Sequence, residues 1–563
     1  MKYKLSGKVR MKEYYKNHIL SDAEKIKQIN TVFDRNIKFS ILVPLFNTPE
    51  NYLKEMIHSV IAQTYGNWEL CLADGSDTNH SNVQKICLDL VEIEPRISYL
   101  KLQNNLGISE NTNSCIEMAT GDYMALLDHD DLLLPNALFE NAVAIQETNA
   151  DVLYSDEDHV NEKGDRFSPF FKPDWSPDLL YSQMYICHFL VINKNLVDSI
   201  GGFNSEFDGS QDYDFMLRLS EKTNAIGHIP KILYSWRESL NSTSVNPNSK
   251  PYAHMAGVNA LDQHLKRKYG EFARANNSFY TFIYEARFDL LMDNPKVSII
   301  MPMKDNSDLT NNAIKSILSK SNYKNYEILV LNNRSTDKKT FQWFETIQKE
   351  DQRIKVIDAD FEFNWSKLNN FGILHASGEV YIFMNNDTIV ITDDWIERIC
   401  ENALRRDIGV VGPLLLYEDD TIQHAGVVVG MSGWADHIYK GMEQVHHGCP
   451  YVSPMVNRNV LAVTGACMAI SKKTIDKIGK FDENFIICGS DVEICIRAHD
   501  AGLNNLYLSG VKVYHLESKS RDSYIPETDF KMSDKCYAFY RENGDPYFNI
   551  NLDVNSVVPQ ERV

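Results

Sequence analysis

The sequence predicts an α/β protein built from two tandem copies of one parallel-sheet domain, and two observations carry that prediction. The first is a long-range repeat of acidic signals in one order. Asp128-His129-Asp130-Asp131 is followed by Gln211-Asp212-Tyr213-Asp214 and Arg218; later, Asn385-Asn386-Asp387 is followed by Ser490-Asp491-Val492-Glu493 and Arg497. Asp130 and Asp387 lie 257 residues apart, and Asp212 and Asp491 lie 279 apart. A repeat this long copies a whole domain, because a solenoid unit runs only about 20–50 residues. The second observation is that each copy alternates short apolar runs with helical patterns, the signature of parallel strands joined by crossover helices.

The elements follow in order. The first 38 residues carry ten Lys or Arg against four Asp or Glu. They read as a basic helical leader (1–37), either solvated or touching an anionic membrane surface. Ser40 to Val43 is a buried strand. Thr48 is placed to cap a helix, with Pro49 at its first position and Glu50 in its first turn. Leu53, Met56, Ile57, Val60 and Ile61 recur at helical spacing, and Trp68 to Ala73 is the next strand, ending at Asp74-Gly75-Ser76. Tyr123 to Leu127 is a further strand that runs into the acid cluster. The second copy repeats this order. Its strands are Val297 to Met301, Tyr326 to Leu331 and Tyr381 to Met384, with a helix carrying Leu309, Ala313, Ile314, Ile317 and Leu318. Tyr65 to Glu69 matches Tyr323 to Glu327, and Asn113 and Gly121 match Asn370 and Gly378. The register changes once, which places about 22 extra residues in the second copy, around His424 to Pro454. The expected division is a first domain at 38–270, a connector at 271–294, a second domain at 295–545 and a loose tail at 546–563.

Composition narrows the function classes. With 57 Lys and Arg against 77 Asp and Glu, the formal charge of −20 argues against nucleic acid as a partner. A hydrophobic content of 43% supports packed cores. No apolar run approaches the ~20 residues of a membrane span, and Met1 to Arg10 does not resemble a signal peptide. Ten scattered cysteines without a Cys-x-x-Cys pair fit reduced thiols. A cytoplasmic protein is expected, with a peripheral place at the inner membrane face left open. His446, His447 and Cys449 cluster without making a zinc pattern.

Ligands of parallel sheets bind at the carboxyl ends of strands, where these polar clusters fall. Asp128-x-Asp130 sets two carboxylates at a strand end. That suits a hard cation shared with phosphates, although a solvated loop has the same spacing. Asp387 is the matching carboxylate, and Asn385 replaces the first acid. Asp212 and Asp491 each open a helix-like run. They read either as acids favoured by the helix dipole or as general bases that take a proton from an acceptor hydroxyl. His424 in the extra segment is an acceptor-pocket candidate or a packed structural histidine.

Taken together, Val43-Pro44-Leu45-Phe46-Asn47, Asp74-Gly75-Ser76, Leu127 to Asp131 and Gln211-Asp212 resemble family 2 inverting glycosyltransferases of the GT-A fold. So do Met301-Pro302, Asn332 to Asp337, Asn385-Asn386-Asp387, Thr464-Gly465-Ala466, Ser490-Asp491 and His515 to Arg521 in the second half. The tandem arrangement is similar to bacterial capsule, O-antigen and cell-wall polysaccharide enzymes. The resemblance implies two Rossmann-like nucleotide-diphospho-sugar transferase domains using Mn²⁺ or Mg²⁺. It implies UDP- or dTDP-sugar donors and a glycan or lipid-linked acceptor. It assigns Asp212 and Asp491 as bases, and Asp130, Asp387 and His515 to metal. Donor contacts fall to Pro44, Phe46, Asp74, Asn113 and Asp128, and to Pro302, Asn332, Asn370, Asn385, Lys519 and Arg521. An exposed basic loop is the other reading of Lys519 and Arg521, and Arg237 is the first copy's candidate for the same diphosphate contact. The halves differ: Trp236 stands where the second has His515, and Gln211 and Ser490 stand where the family usually has Glu. The rival readings are a nucleotidyltransferase, disfavoured by the missing Gly-rich phosphate loop, and a copy degenerated into a glycan-binding or assembly module.

Overall fold

The computed structural model describes residues 2–238, 251–289, 293–516 and 525–563. The first domain's strands are β1 (Phe39–Leu45), β2 (Trp68–Asp74), β3 (Ile97–Lys101), β4 (Tyr123–Leu126), β5 (Leu132–Leu133), β6 (Val152–Val160), β7 (Arg166–Phe170), β8 (Leu190–Asn193) and β9 (Ile226–Arg237). A hairpin of β10 (Ala273–Asn277) and β11 (Tyr284–Phe288) follows. The second domain has β12 (Val297–Met303), β13 (Tyr326–Asn332), β14 (Ile354–Asp358), β15 (Val380–Met384), β16 (Thr388–Val390) and β17 (Ile408–Leu416). It continues with β18 (Ile422–His424), β19 (Val427–Val429), β20 (Ala435–His437), β21 (Arg458–Val460), β22 (Cys467–Ser471) and β23 (Asn504–His515).

The two large sheets have the same order. The first runs β3-β2-β1-β4-β8-β6-β9-β5, and the second runs β14-β13-β12-β15-β22-β17-β23-β16. β1 lies parallel to β2 and β4, and β12 lies parallel to β13 and β15. Every residue of β1 and of β13 is buried, as strands covered by helices on both faces must be. The extra segment of the second copy forms β18, paired with β17, and the small β19–β20 ribbon. No helix among the described residues is long and apolar enough to cross a membrane.

Two expectations need correction. Thr48 does not cap the first crossover helix. The helix spans Glu50–Ile61 with Pro49 as its cap residue, because Pro49 itself keeps an extended ψ of 138°. The Thr48 hydroxyl is left buried without a hydrogen-bond partner. The connector forms the β10–β11 hairpin, and Arg287 of β11 reaches the second domain at Glu401, 2.6 Å away. The expected loose tail is packed down. Tyr547, Phe548 and Leu552 are buried, and Asn549 Nδ2 donates to both Asp156 carboxylate oxygens at 3.0 and 2.9 Å. Asn551 Nδ2 donates to the Pro230 carbonyl at 2.8 Å. A buried Asp156 without such donors would be costly, and the tail amides supply them.

Candidate active sites

A cavity of about 500 Å³ opens in the second domain, beyond the carboxyl ends of β12 and β15. Pro302, Asn385, Asp387, Gly465, Asp491 and His515 are among the residues that line it. Asp387 follows β15 and is buried at 3% exposure. Its Oδ1 has no hydrogen-bond partner, and His515 Nε2 lies 3.3 Å from it. Asn385 Nδ2 sits 3.5 Å from the same imidazole nitrogen. Asp491 stands in the first turn of the helix Ser490–Asp500, and its Oδ2 accepts from the Gly465 amide at 2.8 Å. Burial pushes the Asp491 carboxyl up, against the pull of amides including Gly465 and Val492. Gly465 has to be glycine: a Cβ there would meet the Trp365 ring at 2.8 Å. Trp365 and Phe363 give the cavity an aromatic wall beside the carboxylates.

The first domain gathers an equivalent acid set with a different partner. Asp128, Asp130 and Asp131 follow β4, and Asp131 is consumed by the Tyr234 hydroxyl at 2.6 Å and the Arg237 amide at 2.7 Å. Burial, joined by the Asp128 charge and opposed by His129, raises the Asp130 carboxyl. His188 Nε2 lies 3.7 Å from Asp128 Oδ2. Burial pushes Asp212 up to about 6, with His188 pulling it down and Asp128 adding to the rise. Sequence reasoning missed His188, which sits inside an apolar run and has no repeat partner. The signal that existed was a lone His between Cys187 and Phe189 ahead of a strand.

Several predicted donor residues are engaged within the fold. Asn113 Nδ2 donates to the Phe203 carbonyl at 3.0 Å, and the Phe203 amide donates back at 2.8 Å. Asn370 repeats this with Phe481, at 2.9 and 3.0 Å. Both amides staple the loop before a base-bearing helix. Asn332 is likewise used up, donating to Asp358 at 2.7 Å and accepting from the Ser335 amide at 3.0 Å; Asn333 reaches the cavity in its place. Asp74 is fully covered and receives Tyr99, Lys101 and the Ser76 amide. Burial works to raise its carboxyl, and those bonds outweigh it and leave it below the usual range. Pro44 is buried in β1, whereas Phe46, just past the end of that strand, is 44% exposed. Arg237 is locked to Glu55 at 2.6 Å and to the Asp130 carbonyl at 2.7 Å. His424 is packed, fully buried against His437. Lys519 and Arg521 lie outside the described residues.

The Asn370 staple makes a prediction. Asn370→Ala leaves a buried amide and carbonyl unpaired, which costs about 1–3 kcal/mol. Urea unfolding should register that loss while nucleotide affinity of the second domain stays at the wild-type value. Weaker nucleotide binding at unchanged stability would return Asn370 to the donor site.

The residues present fit a divalent cation in part. Among the described residues no group of three or more His, Cys, Asp or Glu side chains forms a ready-made cage. The buried, unpartnered Asp387 Oδ1 facing an imidazole is nevertheless half of one, and such ions commonly take their remaining ligands from phosphate and water.

Comparison with known proteins adds the family. Residues 40–199 and 298–479 both match Glycosyl transferase family 2, one match on each sheet domain. The chain is 38% identical over 523 residues to the O-antigen biosynthesis protein RfbC of Myxococcus xanthus, covering 92% of this chain and 40% of that protein. It is 26% identical over 386 residues to chondroitin synthase of Pasteurella multocida strain Pm70, covering 63% of this chain and 39% of the relative. The chain therefore spans about two fifths of the length of these relatives. Among solved structures, S. aureus TarS 1-349 in complex with UDP-GlcNAc aligns with 41% of this chain and 67% of its own, at 21% identity and a TM-score of 0.34. With a family match on each of its two domains, the chain belongs to glycosyl transferase family 2.

Proposed function

We propose that this chain is a metal-dependent inverting glycosyltransferase that moves sugars from UDP- or dTDP-sugar donors to hydroxyls of a growing, lipid-linked bacterial surface glycan. Each domain, 38–270 and 295–545, holds one transfer site. The observation that carries the reading is one cavity into which Asp491, Asp387 and His515 all project. The relative named for O-antigen biosynthesis, matched along 92% of this chain, supports the surface-glycan assignment. The basic leader supports a peripheral place at the inner membrane face.

The chain's own groups divide the work. Asp491 in the second domain, and Asp212 in the first, accept the proton of the acceptor hydroxyl as its oxygen bonds to the sugar's C1. Attack comes from the face opposite the diphosphate, the C1–O bond breaks, and the nucleoside diphosphate leaves with the electron pair. A bound Mn²⁺ or Mg²⁺ supplies positive charge to that leaving group; Asp387 and His515 would hold it in the second domain, and Asp130 in the first, with Asp128 beside it on the donor. Trp365 and Phe363 exclude water and offer an apolar face to a sugar ring.

One observation favours a single active copy. Trp236 occupies the place of His515, and its indole N–H is buried without a partner. The first copy would then bind or position glycan. The test is metal-dependent turnover of a panel of nucleotide sugars by Asp130→Ala and Asp387→Ala variants. Two working sites predict that each variant loses turnover of its own donor. Full turnover in Asp130→Ala, with loss in Asp387→Ala, would leave the second copy as the sole transferase. Wild-type turnover in both would remove these carboxylates from the metal sites.

A further inference from the structure

The extra segment of the second copy pairs along β17 through β18, and the pairing is irregular. Leu415 faces His424 and Leu416 faces Ile422, so the register shifts by one residue and Gln423 is left over as a bulge. A bulge re-aims a side chain, and this one turns Gln423 onto His515. Gln423 is 5% exposed. Its Nε2 donates to the His515 carbonyl at 3.2 Å, and its Oε1 lies 2.7 Å from His515 Nδ1.

The donor and acceptor inventory of these groups fixes the imidazole. A backbone carbonyl only accepts, so the Gln423 amide is held with its nitrogen toward that carbonyl and its oxygen toward Nδ1. An amide oxygen also only accepts, so Nδ1 carries the hydrogen. Nε2 is then the ring nitrogen left for other partners, and it faces Asp387 Oδ1 3.3 Å away, with the Asn385 amide nitrogen at 3.5 Å. An imidazole nitrogen and a carboxylate oxygen so placed form a half-built ligand pair.

We propose that Gln423 is the positioning residue that makes His515 a cation ligand: it selects the tautomer with Nε2 free and aims that atom beside Asp387. The proposal rests on the metal reading given above. It also accounts for a coupled difference between the copies. The strand positions equivalent to His515 and Thr388 are Trp236 and Asp131, and Asp131 there is taken up by Tyr234 and Arg237. The second copy thus gains the imidazole and, through its extra segment, the residue that orients it. A nitrogen ligand shifts preference toward Mn²⁺ over Mg²⁺, which favours oxygen.

The test titrates Mn²⁺ alone into the full chain carrying Asp130→Ala, reading free Mn²⁺ by electron paramagnetic resonance. Gln423→Leu should weaken binding about 10–100-fold, the usual effect of removing a partner behind a metal ligand. In a His515→Ala background the same substitution should change nothing, because its effect travels through the imidazole. Gln423→Glu, which keeps an acceptor on Nδ1, should bind Mn²⁺ at least as tightly as the parent; it also serves if the Leu variant does not fold. Parent-level binding in Gln423→Leu, an equal loss in the His515→Ala background, or weaker binding in Gln423→Glu would each overturn the proposal. Asp387→Ala separates the two readings. If it leaves Mn²⁺ binding intact, the metal site itself falls and the proposal with it; if it abolishes binding while Gln423→Leu does not, only the role of Gln423 falls.

Discussion

Asp491→Asn and Asp212→Asn should each cut one transfer about 10²–10⁴-fold, the range of a positioned general base. Nucleotide affinity should hold, because asparagine keeps the shape of the side chain; in Asp491→Asn its one oxygen keeps the Gly465 amide bond and gives up the one from the Val492 amide, within the same helix turn. Both carboxyls are raised by burial, which makes them better proton acceptors than solvated aspartates. The pH profile follows from the same shift. Asp212 titrates near 6 and acts only when deprotonated, so first-domain transfer should fall as pH drops through about 6. Product formation from labelled donors, with each single variant and the double variant, reads both effects. A double variant that transfers sugar at the wild-type rate sinks the base assignment. A first-domain profile flat from pH 7 to pH 5 would sink Asp212 alone.

The parts of this fold that could be read in advance are those set by local pattern and by repetition. β1, β2 and β12 are apolar runs because parallel strands are covered on both faces. The acids that end β4 and β15 stand at strand ends, where backbone geometry exposes them. Repetition does not tell a ligand from a fastener. Asn113 and Asn370 recur 257 residues apart because both staple a loop, and a donor contact would recur in the same way. What stayed hidden depends on distant partners. Gln423 meets His515 across 92 residues, through a bulge that shifts the pairing by one. The polar tail looked loose because Asn549 and Asn551 are turn formers, yet their amides satisfy Asp156, 393 residues from Asn549. Such pairs carry no local periodicity, so only the folded chain reveals them.

The second large effect concerns the join between the domains. Arg405 is fully buried, with its NH1 2.5 Å from Asp178 Oδ1. Its guanidinium lies 4.6 Å over the ring of Phe288 in the connecting hairpin. Asn459 Nδ2 completes Asp178 at 2.7 Å. Asp178→Ala removes one partner of a buried ion pair and leaves the guanidinium short of charge, with Asp407 at 2.8 Å its remaining counterion. Such a break costs about 3–5 kcal/mol, well above the loss expected for Asn370→Ala. Asp178→Leu combined with Arg405→Met should recover much of it, because replacing a buried pair with apolar groups of similar volume is often neutral. Urea unfolding of the full chain reads the stability. An unchanged midpoint and slope for Asp178→Ala would show that the pair does not hold the domains together. The effect should stop at stability. Asp178 lies on the short helix Pro177–Ser182, ahead of the turn carrying Cys187 and His188. That turn has its own anchors: Lys172 Nζ donates to the Ile186 and His188 carbonyls, each at 2.5 Å, and the His188 amide donates to Glu157 at 3.0 Å. Under native conditions both transfers should therefore keep their wild-type rates in Asp178→Ala, and a selective loss of first-domain transfer would show that the interface also positions that site.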